Sequence, residues 1–130
     1  MADELLLDTH AFLWWLADDT RLSKRARKAI ADPERRVYLS PASAWEISTK
    51  HRIGRLPEAR ELLADFPGIL ARAGFEELPI ATKHAVLAGT LRGTHRDPFD
   101  RMLVAQALCE NMEVATADDA LGALGARCLW

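Results

Sequence analysis

Short apolar runs alternate with longer mixed segments along the chain, and the alternation predicts strands separated by helices. Leu5-Leu6-Leu7 stops at Asp8 and has the length of a buried strand. Thr9 or His10 opens a helix through Leu16, closed by the polar Asp18-Asp19-Thr20. Ser23 is a favoured N-cap for a helix over Lys24 to Ala31, which Asp32-Pro33 ends. Val37-Tyr38-Leu39 reads as a second strand. Ser40-Pro41 then supplies a cap and a favoured first helical residue for a segment running to about Ile53, where Gly54 stops it. One further helix is expected between Pro57 and Ala73, strand-like residues over Phe75 to Ile80, and a helix over Thr82 to Ala88. Asp97-Pro98 repeats the cap-and-proline signature ahead of a long helix, Glu113 to Thr116 reads as a strand, and Arg127-Cys128-Leu129 as a short last one. Strands in alternation with helices predict an α/β fold, a central parallel sheet of about four or five strands covered on both faces. The expectation is one domain over 1–130.

Composition narrows the class. The chain has 130 residues, 49% hydrophobic and 28% charged, a globular balance that excludes disordered and collagenous proteins. A chain of this length buries about two-thirds of its unfolded surface without needing staples. Its longest apolar run, Ala11 to Ala17, falls far short of the ~20 residues a membrane span requires. No charged segment followed by an apolar one opens the chain, so a cytoplasmic location is expected. Cys109 and Cys128 then read as buried thiols rather than as a disulfide framework.

Seventeen Lys and Arg against nineteen Asp and Glu give a net charge of −2, which excludes nucleic-acid binding by bulk basicity. The distribution matters more. Basic residues cluster at Arg21 to Arg36, at Lys50, Arg52 and Arg55, and at Arg92, Arg96 and Arg101. Taken singly each cluster is a solvated face; around an acidic, metal-holding centre they become phosphate contacts. The acids follow the rule that α/β sheets bind ligands beyond the carboxyl ends of their strands. Asp8 ends the first strand, Asp118 lies just past the strand at Glu113 to Thr116, Glu46 is on the helix after the second strand, and Asp97 and Asp100 open the long helix. Ordinary roles compete: Asp97 is the natural cap, Asp100 gains from the helix dipole, and Asp118 suits a turn. Asp8 and Glu46, beside apolar neighbours, are harder to explain that way. Two carboxylates 5 Å apart repel by about 3 kcal/mol even at an effective dielectric of 20. Several together call for a divalent cation, and oxygen donors without His or Cys suit Mg²⁺ or Mn²⁺ rather than Zn²⁺.

Four segments in order carry a resemblance: Leu5-Leu-Leu-Asp8-Thr9-His10-Ala-Phe-Leu-Trp14, Ser40-Pro-Ala-Ser43-Ala-Trp45-Glu46-Ile-Ser-Thr-Lys50, His95-Arg96-Asp97-Pro98-Phe99-Asp100-Arg101-Met-Leu-Val-Ala-Gln-Ala, and Thr116-Ala-Asp118. Over essentially the whole chain the sequence resembles the PIN domain, and within it the VapC-type toxins of bacterial toxin–antitoxin pairs. The resemblance implies a metal-dependent endoribonuclease that hydrolyses RNA phosphodiesters, acts as the toxin of a type II pair, forms a homodimer and is inhibited by a VapB-like antitoxin. By position, Asp8, Glu46, Asp100 and Asp118 match the four acids of the family's active site. Asp8, Asp100 and Asp118 would hold Mg²⁺, or Mn²⁺, and Glu46 would orient or deprotonate the attacking water. Asp97 and the hydroxyls of Thr9 and Thr116 are candidates for supporting that site, and Lys50, Arg96 and Arg101 for contacting phosphate. Asp119, beside Asp118, leaves the fourth position open between two neighbours.

Other α/β readings fit less well. A receiver domain needs an acidic pair after the first strand and a Lys after the last. A haloacid-dehalogenase-type phosphatase needs a second acid where His10 stands. Glycine-rich dinucleotide and P-loop motifs are absent from the sequence, as is a Gly-x-Ser-x-Gly elbow. The alternative from another class is a metal-free module of the same fold that binds RNA or a protein without cutting.

Overall fold

The computed structural model describes residues 4–130. Five parallel strands, β1 (Glu4–Leu7), β2 (Arg36–Leu39), β3 (Glu76–Glu77), β4 (Glu113–Ala115) and β5 (Cys128–Leu129), form one sheet in the order β3-β2-β1-β4-β5. The chain winds outward from β1 through β2 to β3 and then returns to β4 on the other side. The strand order therefore reverses between β1 and β4, where Leu7 is in register with Ala115. That reversal opens a crevice at the carboxyl ends of the two central strands.

Alternation along β1 divides the core. Leu5 and Leu7 face a cluster that includes Phe12, Leu22, Ala26, Ile30, Ile47 and Leu62. Leu6 faces the opposite cluster, with Leu103, Val104, Ala107, Val114 and Leu121. All three leucines are fully buried. Helices α1 (Thr9–Leu16) and α2 (Lys24–Ala31) cover the first face, and α7 (Pro98–Glu110) the second, with α6 (Thr82–Thr90) packed along α7. Helix α3 (Pro41–Arg52) adjoins both α1 and α7. The sequence-derived caps hold: Ser23 accepts from the Ala26 amide, Ser40 from that of Ala42, and Asp97 from those of Phe99 and Asp100.

Four expectations are corrected. The segment from Pro57 to Ala73 is not one helix but a 3₁₀ turn over Pro57–Ala59 followed by α4 (Arg60–Ala64) and α5 (Phe66–Ala73). Asp65 breaks it, adopting φ −148° and capping the Gly68 amide ahead of Pro67. Only Glu76 and Glu77 of the stretch 75–80 enter the sheet. A short helix, α8 (Asp119–Ala123), follows β4 where none was expected. Cys128 is exposed and Cys109 half-buried, so neither is a core thiol, although both are free.

Candidate functional site

The two central strands bring the first and last acids together. The Asp8 amide donates to the Ala115 carbonyl at 3.1 Å, continuing the β1–β4 ladder one residue past β1. Asp8 is buried, and its Oδ1 accepts from the Ala11 amide at 2.7 Å, so it also caps α1. Thr116, next to Asp8 on β4's side, donates its hydroxyl to the Asp8 carboxylate and accepts from the Asp118 amide at 3.0 Å. Asp118 is exposed and caps α8 through the Ala120 amide. Asp8 and Asp118 line a shared cleft of about 360 Å³ with His10, Trp14 and Ala117.

The α3 side is joined to this centre through Thr9. Its Oγ1 lies 2.6 Å from Glu46 Oε1 and 2.9 Å from Ser43 Oγ. A carboxylate only accepts, so the Thr9 hydroxyl donates to Glu46 and receives the Ser43 proton. Glu46 is buried, and its second oxygen takes the Lys50 ammonium at 2.6 Å. Asp100 stands at the start of α7, its Oδ2 bonded to His95 Nε2 at 2.8 Å, with Asp97 capping the same turn.

Two of these carboxyls are shifted by their surroundings. Burial pushes the Asp8 carboxyl above its ordinary range and Glu46 adds to the rise, while Thr116, the Ala11 amide and His10 pull it back. Burial likewise raises Asp100; His95 opposes that, and the negative charges of Asp97 and Glu46 reinforce it. Glu46 is thus felt by acids from β1 and from α7. The Cys128 thiol, raised first by burial, also feels Asp119, Asp8 and Asp118.

The sequence matches the PIN domain family over residues 5–126. The chain belongs to the PIN-domain family. Among the similar solved structures are a DNA-bound VapBC complex from Salmonella typhimurium (22% identity, 98% of this chain and 97% of that one, TM-score 0.70) and VapBC2 from Rickettsia felis bound to a promoter fragment (14%, 96% of each, 0.69). FitAcB from Neisseria gonorrhoeae is a third (19%, 95% of each, 0.61). At these identities the likeness establishes the fold. No curated protein sequence matches.

Within the PIN fold the remaining predicted residues are placed as follows. Arg101, considered as a phosphate contact, instead donates from its three nitrogens to the carbonyls of Ala88, His95 and Leu91 at 2.6–3.0 Å. Its role is to hold the segment 91–97 that carries His95 and Asp97. Lys50 is paired to Glu46 rather than standing free, a pairing that the i, i+4 spacing on a helix already favours. Arg96 is exposed on the rim of an apolar cleft with Trp45 and Phe99. Trp45, next to the buried Glu46, is 62% exposed. Sequence reasoning missed Ser43 and His95 as partners of the acids. Ser43 lay one helical turn before Glu46, whereas no spacing rule links His95 to a carboxylate across a helix start.

Among the described residues no three His, Cys, Asp or Glu side chains converge closely enough to hold an ion as they stand. The donor chemistry nonetheless fits a hard divalent cation. Burial raises the carboxyl pKa of the buried Asp8 and the half-buried Asp100, and carboxylate oxygens are the ligands such an ion prefers.

Proposed function

We propose that the chain is a metal-dependent endoribonuclease and the toxin of a type II toxin–antitoxin pair, with Asp8, Glu46, Asp100 and Asp118 as its active-site acids. The observation that carries this reading is geometric: at the sheet's reversal Asp8 and Asp118 share one cleft, and the Thr9 hydroxyl ties the residue after Asp8 to the buried Glu46 of α3. Such a concentration of charge costs stability unless it serves a ligand.

Asp8, Asp100 and Asp118 are the residues that would hold Mg²⁺, or Mn²⁺. The ion would supply charge neutralisation at a phosphate oxygen and a lowered pKa for water. Glu46 is the base, kept in place by the Thr9 hydroxyl on one oxygen, and it orients or takes a proton from the attacking water. Asp97 fixes the first turn of α7 on which Asp100 stands, and Thr116 aligns Asp8 with Asp118. Arg96 meets an RNA phosphate. Attack in line with the departing 3′ oxygen leaves a 5′ phosphate and a 3′ hydroxyl.

The toxin assignment rests on the likeness to VapBC and FitAcB structures together with the family membership. A VapB-like antitoxin, a homodimer and a cytoplasmic location belong to the same reading. No helix among the described residues is long and apolar enough to cross a membrane.

A second reading draws on the ion pairs. Lys50 neutralises Glu46, and His95 partners Asp100, as an interaction module without metal would arrange them. Incubating the antitoxin-free protein with mixed structured RNA in Mg²⁺, Mn²⁺ or EDTA, beside Asp100→Asn, separates the two. Metal-dependent cuts that vanish in the variant support the nuclease. Metal binding without cutting points to a more selective substrate, and no metal binding points to the module.

A further inference from the structure

Next to the acids lies an aromatic corner that the chemistry above does not use. Trp45 precedes Glu46 on α3, and Phe99 precedes Asp100 on α7. Consecutive helical residues project about 100° apart, so each aromatic ring is offset to the side of its acid. The two rings meet with centroids 4.8 Å apart at an interplanar angle of 80°, forming the walls of a corner. The corner opens into a cleft of about 300 Å³ whose lining includes Ile80, Pro98 and Met102, with Arg96 at its rim. Trp45 is left 62% exposed, the most exposed of the large hydrophobic side chains among the described residues. The indole packs edge-on against Phe99 yet stays largely in water, one residue from the buried Glu46.

From this geometry we infer that the Trp45–Phe99 corner is a nucleobase subsite, in which one base of the RNA stacks on Trp45 while Arg96 meets a backbone phosphate. The inference rests on the nuclease reading and extends it to substrate selection. A planar, sequence-tolerant ligand matches an exposed indole, and an anionic backbone matches Arg96, since Arg101, the other cation lining the cleft, is spent on three backbone carbonyls. The corner makes Trp45 a residue that positions the strand relative to Glu46, not a catalytic one. Two purely apolar walls discriminate bases by stacking strength, so purines would be held more tightly than pyrimidines.

The test is binding in EDTA, where no strand is cut. Labelled 12-nucleotide RNAs, one of oligo-A and one abasic at every position, are titrated by anisotropy at one salt concentration into wild type, Trp45→Ala, Trp45→Phe and Phe99→Ala. Trp45→Ala is expected to weaken oligo-A binding by about 5- to 150-fold, the range one stacked base supplies, while leaving the abasic strand unchanged. Trp45→Phe should stay within about threefold of wild type. Equal losses for both strands, or no loss for either, overturn the proposal, as does a wild type that binds neither. Sedimentation of the same samples reads the rival occupant. If Trp45→Ala splits a dimer without changing the affinity for oligo-A, the corner is a protein interface. Loss of metal-dependent cleavage with base-selective binding intact would sink the nuclease reading and leave the subsite standing.

Discussion

The Thr9 hydroxyl donates to Glu46 Oε1 across 2.6 Å, joining the residue after Asp8 to the acid on α3. Through this bond the carboxyl end of the central strand sets the position of a side chain 37 residues away. Because Thr9 is buried, replacing it with Val leaves both Glu46 and Ser43 short of a partner inside the protein. Thr9→Val should destabilise the fold by about 1–3 kcal/mol in urea titrations. It should also lower RNA cleavage more than a Ser23→Ala cap variant of equal stability does.

Glu46→Gln keeps the shape and the Thr9 contact but removes the base. Cleavage should fall by about 10²–10⁴-fold, the usual contribution of a positioned proton acceptor. Single-turnover rates with excess enzyme measure this directly.

Asp8 and Asp100 both have folded pKa values raised above the ordinary 3.8, so the folded state holds their protons more tightly than the unfolded chain. Each therefore costs stability as pH rises from its unfolded pKa through its folded one, and the cost is complete above that window. Glu110 runs the other way: bonded to His84 and Lys83, its pKa is lowered, and its contribution is lost as pH falls. Comparing Asp8→Asn with wild type across pH in metal-free buffer removes the Glu110 effect. Asn keeps the α1 cap, since its side-chain oxygen can still accept from Ala11. The variant should melt higher than wild type above the window and lose that advantage below it.

Arg101 supports the segment 91–97 through three carbonyl bonds that lysine, with one ammonium, does not reproduce. Arg101→Lys should cost about 1.5–3 kcal/mol and accelerate amide exchange between Leu91 and Asp97. Exchange mass spectrometry that finds the segment unchanged would contradict this account of Arg101.

Much of the fold was legible because its signals are local. The Leu5–Leu7 run, the Ser23, Ser40 and Asp97 caps and the stop at Gly54, with φ +80°, depend on a few adjacent residues. The break at Asp65 was not legible, since Pro67 is compatible with the first turn of a new helix as well as with a loop. The candidate acids stood out because Asp8, Asp100 and Asp118 lie at a strand end or a helix start, and Glu46 because it is flanked by apolar residues on a helix. Their partners were less visible. His95 meets Asp100 only because Arg101 folds the intervening segment back onto α7, and nothing in the spacing reports that fold. The exposure of Trp45 is equally hidden from a local reading: it adjoins a buried acid, yet one helical step turns it outward.

The central claim is that Asp8 just past β1, Asp100 on α7 and Asp118 after β4 form one metal-dependent centre. Titrating Mn²⁺ into the antitoxin-free protein and reading free ion by electron paramagnetic resonance tests it most directly. Saturable binding in wild type, weakened in Asp8→Asn, Asp100→Asn and Asp118→Asn while all three remain folded, is the predicted result. Wild-type affinity in all three variants, or no binding by wild type, would contradict the claim.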